Sequence, residues 1–405
     1  MNDAQFYVKL TTRSIFRGVA MRRSYQLSLF MAGTLLAGPC VAQVNAEPTA
    51  ESRAAPIPNA NDYICTFTAN VSRGSVPQEA ARAVGPELGQ ILHTYQWAVK
   101  GFAVRLPASP PGGGSVTARL KSHNPNVRAC EHDGITRAAV MIAGRPTGGS
   151  KQATPWGVTR VGGAGDASLL TAKAWIIDSG IDLTHPDLNV DAADGKSFLA
   201  TDASLNDTYG HGTHVAGIIG AKNNTVGVVG VAAGAKVVPI RVLDGTGTGP
   251  DSGVIAALDF VYQNSLSGDV ANLSLIADVV SSTMDQAVVN LGAKGVYVTI
   301  AAGNNSANAS NYSPGRASGV NVYTVSAFAS GDTWASFSNY GPIVAWGEPG
   351  VSIKSTYKSG TYATLSGTSM AAPHLAGILL LQHVARVGGS VTGDPDGNPD
   401  PIGVR

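Results

Sequence analysis

The chain has 405 residues, 44% hydrophobic and 14% charged, with 49 glycines and a formal net charge of +1. Those proportions fit core-forming globular sequence and exclude a disordered or low-complexity chain. No Lys/Arg cluster is interleaved with aromatics, which argues against nucleic-acid binding. The near-neutral total hides an asymmetry: residues 1–150 hold 15 Lys and Arg against 8 Asp and Glu, and residues 151–405 hold 13 against 19.

In chain order, a basic lead with Arg13, Arg17, Arg22 and Arg23 precedes the apolar run 27–38. The run is too short to span a bilayer and suits a secretory signal. Residues 1–46 are therefore expected to be a signal peptide, cut after Ala42 or Ala46, with Met21 as an alternative start. The protein is expected to be exported, to the exterior or the periplasm, with no stable membrane association. Cys40 leaves with the signal. Cys65 and Cys130 remain as an even pair, disulfide-bonded in an oxidising compartment or present as two buried thiols.

Residues 62–68 read as a strand, 78–84 as a short helix, and 95–106 as two strands turning near Lys100-Gly101. A helix at 115–122 and a strand at 126–130 complete the order βαββαβ, a ferredoxin-like α+β split. Through its opening YICTF, central KGFAVRL and closing VRACEHD, the segment 60–135 resembles the subtilisin propeptide, or inhibitor I9, family. The resemblance makes the first and last strands neighbours, which favours a Cys65–Cys130 disulfide. It also implies an intramolecular chaperone and inhibitor for the part that follows. Residues 136–154 read as a linker carrying the maturation cleavage, and Ala143, Gly144 and Gly149 are small enough to suit it.

Beyond the linker, short apolar strands at 174–178, 237–242, 271–275, 296–301 and 322–327 alternate with helical patterns at 252–262 and 281–291. Alternation of this kind predicts an α/β domain over 155–387, its mostly parallel sheet covered by helices on both faces. Residues 388–405, rich in Gly, Asp and Pro, are expected to be a flexible tail. Active sites of such sheets lie beyond the carboxyl ends of strands, where Asp178 stands. Tyr209-Gly210-His211-Gly212 sets a histidine between glycines ahead of a helix. Asn304 follows another strand, as a side-chain amide can in an oxyanion hole. Ser369 sits at a helix mouth, where free N–H groups and the positive dipole end face a developing anion.

With IDSGI, GHGTHVAG, AAGNN and GTSMAAPH in that order, residues 155–385 resemble the subtilisin-like serine endopeptidases (subtilases), whose triad runs Asp, His, Ser. The resemblance implies that Ser369 is the nucleophile, His211 the base, Asp178 its orienting carboxylate and Asn304 an oxyanion donor. His214 is read as structural, and no cofactor is needed for catalysis. Gly247, Thr248 and Gly249, with Ser274, Leu275 and Ile276, match the edge segments between which a substrate peptide lies as an added strand. Ala301, Ala302 and Gly303 back that cleft. At Ile276-Ala277 the family's usual glycine pair is missing, so a small residue on the acyl side of the cut bond (P1), or reduced activity, is expected.

The resemblance also implies structural calcium. Asp187 and Asn224 would give side-chain oxygens, and Lys222, Val226 and Val228 carbonyls. Asp332 is a candidate for a second site, as in proteinase K-like members sharing SFSNYG. The whole reads as a monomeric secreted endopeptidase made as a zymogen. Its partners are protein or peptide substrates and its own propeptide. The competing reading is a non-catalytic or narrowly specific peptide-binding member of the fold.

Overall fold

The computed structural model describes residue 58 and residues 60–107, 115–140, 142–143, 146–149 and 151–405. The expected signal peptide, and Gly144, lie outside the described residues. The first folded part is built from β1 (Asp62–Phe67), α1 (Val76–Val84), β2 (Gln90–Tyr95), β3 (Gly101–Arg105), α2 (Val116–His123) and β4 (Val127–His132). Its strands form an antiparallel sheet of order β2-β3-β1-β4. Alternation along the strands gives the sheet two apolar faces. Cys65, Phe67, Phe102 and Val104 pack with Ala80, Val84 and Leu120 from α1 and α2. Ile64, Tyr95 and Ala103 face the other way and join the core of the large domain.

Cys65 lies opposite Cys130 on β1 and β4, and the two are disulfide-bonded with Cα atoms 4.1 Å apart. The first strand of the central pair comes earlier than its expected start near residue 95. Residues 96–100 are instead a loop, because the N–H groups of Gln96, Trp97 and Ala98 turn to the Asp259 carboxylate at 2.9, 2.6 and 2.7 Å. Such contacts with a distant part of the chain leave no periodicity in the sequence.

After β4, the chain forms β5 (Ile135–Ala138) and β6 (Ile142–Ala143), and the large domain opens with α3 (Trp156–Arg160). Its strands are β7 (Ala174–Asp178), β8 (Lys236–Arg241), β9 (Thr248–Pro250), β10 (Val270–Leu273), β11 (Leu275–Ala277), β12 (Tyr297–Ala301), β13 (Val322–Ala329), β14 (Val344–Pro349), β15 (Ile353–Tyr357) and β16 (Thr361–Ser366). Its further helices are α4 (His211–Gly220), α5 (Asp251–Asn264), α6 (Ser282–Ala293) and α7 (Thr368–Gln382). The central sheet runs β8-β7-β10-β12-β13-β14, each neighbouring pair parallel. Along β7, Trp175 and Ile177 face a cluster with Val254, Ile255 and Leu258 of α5, and Ala174 and Ile176 face Val215 and Ile219 of α4 and Leu375 of α7. A strand covered on both faces is a continuous apolar run, which is how β7 reads.

The C-terminal segment corrects the expectation of a flexible tail. β17 (Arg386–Ser390) and β18 (Pro401–Val404) form a hairpin, and β18 extends the sheet parallel to β14. Ile402 is fully buried, Ser326 Oγ donates to Asp400 at 2.5 Å, and the Arg405 N–H donates to the Val161 carbonyl. The Gly- and Asp-rich composition belongs to the turn of this hairpin, and its few apolar residues supply the anchor.

Candidate active site

Two sheet ends and two helix starts meet at one point. β7 ends on Asp178 and α4 begins on His211, with His211 Nδ1 2.8 and 2.9 Å from the two carboxylate oxygens of Asp178. Both side chains are buried. The close approach needs glycine at 212, where a Cβ would sit 2.1 Å from the Gly180 carbonyl oxygen. Buried Asp207 fastens the start of α4 by accepting from the N–H groups of Tyr209, Gly210 and Thr213 and from the hydroxyls of Ser179 and Thr213. His214, one turn on, shares its Nε2 between the Ile353 and Ala363 carbonyls at 3.1 Å each. Burial holds its pKa down at about 3, as a structural histidine requires.

Ser369 lies in the first turn of α7. Its hydroxyl donates to the Ala139 carbonyl at 2.5 Å and the Ser274 carbonyl at 3.0 Å, while His211 Nε2, also buried, has no hydrogen-bond partner among the described residues. The Ala139 oxygen also accepts from Asn304 Nδ2 at 2.6 Å and from the Ser369 N–H at 3.3 Å. Asn304 is aimed by Thr368, whose N–H and hydroxyl both donate to its Oδ1 at 2.9 Å. Gly367 has φ of +151°, and a Cβ there would lie 2.7 Å from the Ala139 oxygen, so only glycine leaves room for a carbonyl in this position.

The segment that delivers this carbonyl lies in the cleft as a strand. β5 is paired antiparallel with β9 on one side and β11 on the other, with Arg137 opposite Thr248 and Ile276, and Thr136 opposite Gly249 and Ala277. The Ala138 N–H donates to the Gly247 carbonyl and the Ala139 N–H to the Ser274 carbonyl, both at 3.1 Å. Leu275 pairs with Ala138. All three residues of Gly247, Thr248 and Gly249, and all of Ser274, Leu275 and Ile276, therefore flank the bound strand. Ala301 and Ala302 are buried behind it and lead into Gly303, against which the Ile276 side chain packs. An open recess bounded by Ile276, Asp278, Asn304, Asn305 and Tyr312 adjoins Ala139 and Val140.

The residue held in the cleft lies inside the expected linker 136–154 but before the small residues singled out there. The small residue held against Ser369 is Ala139, whereas Ala143 lies on β6, paired with Leu365 of β16 beyond the nucleophile. Residues 136–138, expected to be linker, are part of the cleft strand. The excess of basic residues in the front half does not by itself describe how the two parts meet. At the contact, carboxylates of the front half meet helix N-termini of the large domain. Glu131 accepts from the N–H groups of Ser282 and Thr283 and from the hydroxyls of Ser281 and Ser282 at the start of α6. Asp133 accepts from the Ser252 N–H at the start of α5 at 2.9 Å. Carboxylates are favoured at such ends by the helix dipole and the free N–H groups. Burial still pushes the Asp133 carboxyl up to about 6 and that of neighbouring Asp251 to about 7. Arg137 with Asp278 follows the expected sign.

The expected calcium ligands lie together. Asp187, fully buried, receives hydrogen bonds from Asn224 Nδ2, the Val228 N–H and the Tyr362 hydroxyl, all neutral donors, beside the loop that carries Lys222 and Val226. Each of these groups donates to Asp187, and Asn224 turns its Oδ1 to the Val226 N–H; the oxygen types gathered here, a carboxylate, an amide and loop carbonyls, are those that calcium takes. Beside it, Gln152 Nε2 donates to the Lys222 carbonyl at 3.4 Å and to Asn223 Oδ1 at 3.3 Å. No sequence signal marked Gln152, which arrives from the far side of the cleft. Asp332 is different and corrects the expected second site: Arg160 grips both its oxygens, at 2.6 and 2.9 Å, so they are committed to a guanidinium.

Comparison with known proteins agrees with this geometry. The model of the subtilase family matches residues 174–386. M-protease of Shouchella clausii strain KSM-K16 is 42% identical over 234 residues, covering 57% of this chain and 60% of that protein. Subtilisin Savinase of Lederbergia lenta is 42% identical over the same length, covering 57% of this chain and 84% of its own. The crystal structure of a cold-adapted subtilisin-like serine proteinase superposes with a TM-score of 0.55 at 35% identity, over 61% of this chain and 96% of that one. The chain belongs to the subtilase family.

Proposed function

We propose that this chain is a serine endopeptidase made as a zymogen that cuts itself between Ala139 and Val140. The observation that carries the reading is the Ala139 carbonyl, touched by the Ser369 hydroxyl and by the Asn304 amide at once. In this reading Ser369 Oγ turns from the Ser274 carbonyl to His211 Nε2, loses its proton there and attacks the Ala139 carbonyl carbon. Asp178 holds the imidazole and stabilises the imidazolium. Charge gathering on the Ala139 oxygen meets Asn304 Nδ2 and the Ser369 N–H. His211 then protonates the leaving amine of Val140, and water releases the acyl group by the reverse path. Protein or peptide substrates enter later as the same added strand, with residues 60–135 acting as chaperone and inhibitor until they leave.

The test compares intact masses of the purified wild type and Ser369→Ala. Loss of the front segment in the wild type alone supports the reading, and identical processing of both would defeat it.

Structural calcium held by Asp187, Asn224, Gln152 and the carbonyls of Lys222, Val226 and Val228 belongs to the same proposal. Chelation should lower the melting temperature, and an unchanged value would remove calcium from it. Export is supported by the Cys65–Cys130 disulfide, which suits an oxidising compartment. Among the described residues no helix is long and apolar enough to cross a membrane. The narrower reading, a processing enzyme with few substrates, is favoured by Ile276 beside the P1 position. Fastest cleavage after Phe, in peptides differing only at P1, would count against it.

A further inference from the structure

Two carboxylates of the large domain are aimed at side chains of the strand in the cleft, and neither takes part in breaking the bond. Counting back from the carbonyl held by Asn304, Ala139 is P1, Ala138 P2, Arg137 P3 and Thr136 P4. Thr136 is fully buried, and its hydroxyl donates to Asp251 Oδ1 at 2.6 Å. Asp251 is itself fully buried as the first residue of α5, and its second oxygen, Oδ2, has no hydrogen-bond partner among the described residues. The site is closed over: a Cβ on Gly134 would lie 2.4 Å from that oxygen and 2.5 Å from Val279 Cγ2.

Burial pushes the Asp251 carboxyl up to about 7, so near neutral pH it can accept from a hydroxyl or donate to one. With an alkyl side chain it can do neither, and a buried polar group left without a partner is costly. Arg137 presents the opposite case. Its guanidinium lies on the outer side of the strand and grips Asp278, with Nε 3.0 Å from Oδ1 and Nη2 2.9 Å from Oδ2. Both side chains are nearly half exposed, at 48% and 42%, so solvent screens the pair and its effect is small.

We propose that this cleft selects segments with a hydroxyl at P4 and a cation at P3, read by Asp251 and Asp278. The substrate class is Ser or Thr, then Arg or Lys, then two alanines, with cleavage after the second. The proposal rests on the endopeptidase reading above and narrows it. Thr and Val have nearly the same shape, so exchanging them at P4 isolates the hydroxyl.

The experiment uses the full chain after it has processed, assayed on acetylated Thr-Arg-Ala-Ala, Val-Arg-Ala-Ala and Thr-Glu-Ala-Ala 4-nitroanilides. Val at P4 should lower kcat/KM about tenfold or more, because a site built to bond a hydroxyl rejects the analogue lacking it. Glu at P3 should lower it about fivefold, in the range of an exposed ion pair lost and a like charge gained. Asp278→Arg should then prefer Glu at P3. Equal kcat/KM for Thr and Val overturns the P4 assignment while cleavage of both leaves the peptidase reading standing. Indifference to Glu at P3 overturns the role of Asp278. A chain that cleaves none of the three peptides overturns the peptidase reading, and this proposal with it.

Discussion

The triad and the contact between the two folded parts are both buried and acidic, yet they hold their carboxylates in opposite ways. Asp178 is partnered by His211 and the Ser179 N–H, both within the large domain, so its hydrogen bonds do not depend on the front segment. Glu131, Asp133 and Asp259 are satisfied only across the contact, by helix N-termini and loop N–H groups of the opposite part. Under the proposed maturation, the site that would persist is internally partnered, and the contact that would come apart is partnered across the plane along which it separates.

The largest expected effect breaks the first half of that comparison. A lost oxyanion amide costs subtilisin itself about 10²–10³ in rate, and Asn304→Ala should slow self-processing by a similar factor, read from the time course of precursor disappearance. A change under threefold would mean that Asn304 does not meet the developing charge. Thr368→Val should share part of the loss, since Thr368 aims the amide.

The second half is tested with pH. Burial raises the carboxyls of Asp133 to about 6 and of Asp251 to about 7 while the two parts are joined. Asp259 is also raised by burial, Asp62 is gripped by Arg105, and Tyr95, Glu131 and the Arg137–Asp278 pair lie around them. A carboxyl whose pKa is raised in the joined state binds its proton more tightly there. Joining is therefore favoured at low pH and weakens as pH rises through about 6 to 7. The inhibition constant of the cleaved front segment should rise about tenfold or more between roughly pH 5 and pH 8. A constant that falls over this range would reverse the sign and refute the account of the contact.

A smaller effect sharpens it. Glu131→Gln keeps shape but removes the charge at the start of α6, and should weaken inhibition about threefold to tenfold, the range of a helix-end charge. No change would mean that the Glu131 charge adds nothing to the contact, which would then rest on Asp133, Asp259 and the packing of Ile64, Tyr95 and Ala103.

The candidate site was legible because Asp178, His211, Asn304 and Ser369 each stand in a recognisable motif with small neighbours. The parallel sheet was legible because strands buried on both faces leave unbroken apolar runs. Asp251, Asp278 and Gln152 were not, because each acts through a partner 70 or more positions away or supplied by the strand in the cleft. The C-terminal hairpin was hidden by its turn residues, its anchor resting on Ile402 and Asp400. Asp332 resembled a free oxygen ligand only while Arg160, far earlier in the chain, was out of view.

The most direct measurement is the mass, to the residue, of the front fragment released by the wild-type precursor. The account predicts a fragment ending in Ala139 and an enzyme beginning at Val140 before any trimming. A first cut after Ala143, Gly144 or Gly149 would contradict it, because the carbonyl between Ser369 and Asn304 would then belong to a bond that the enzyme does not break.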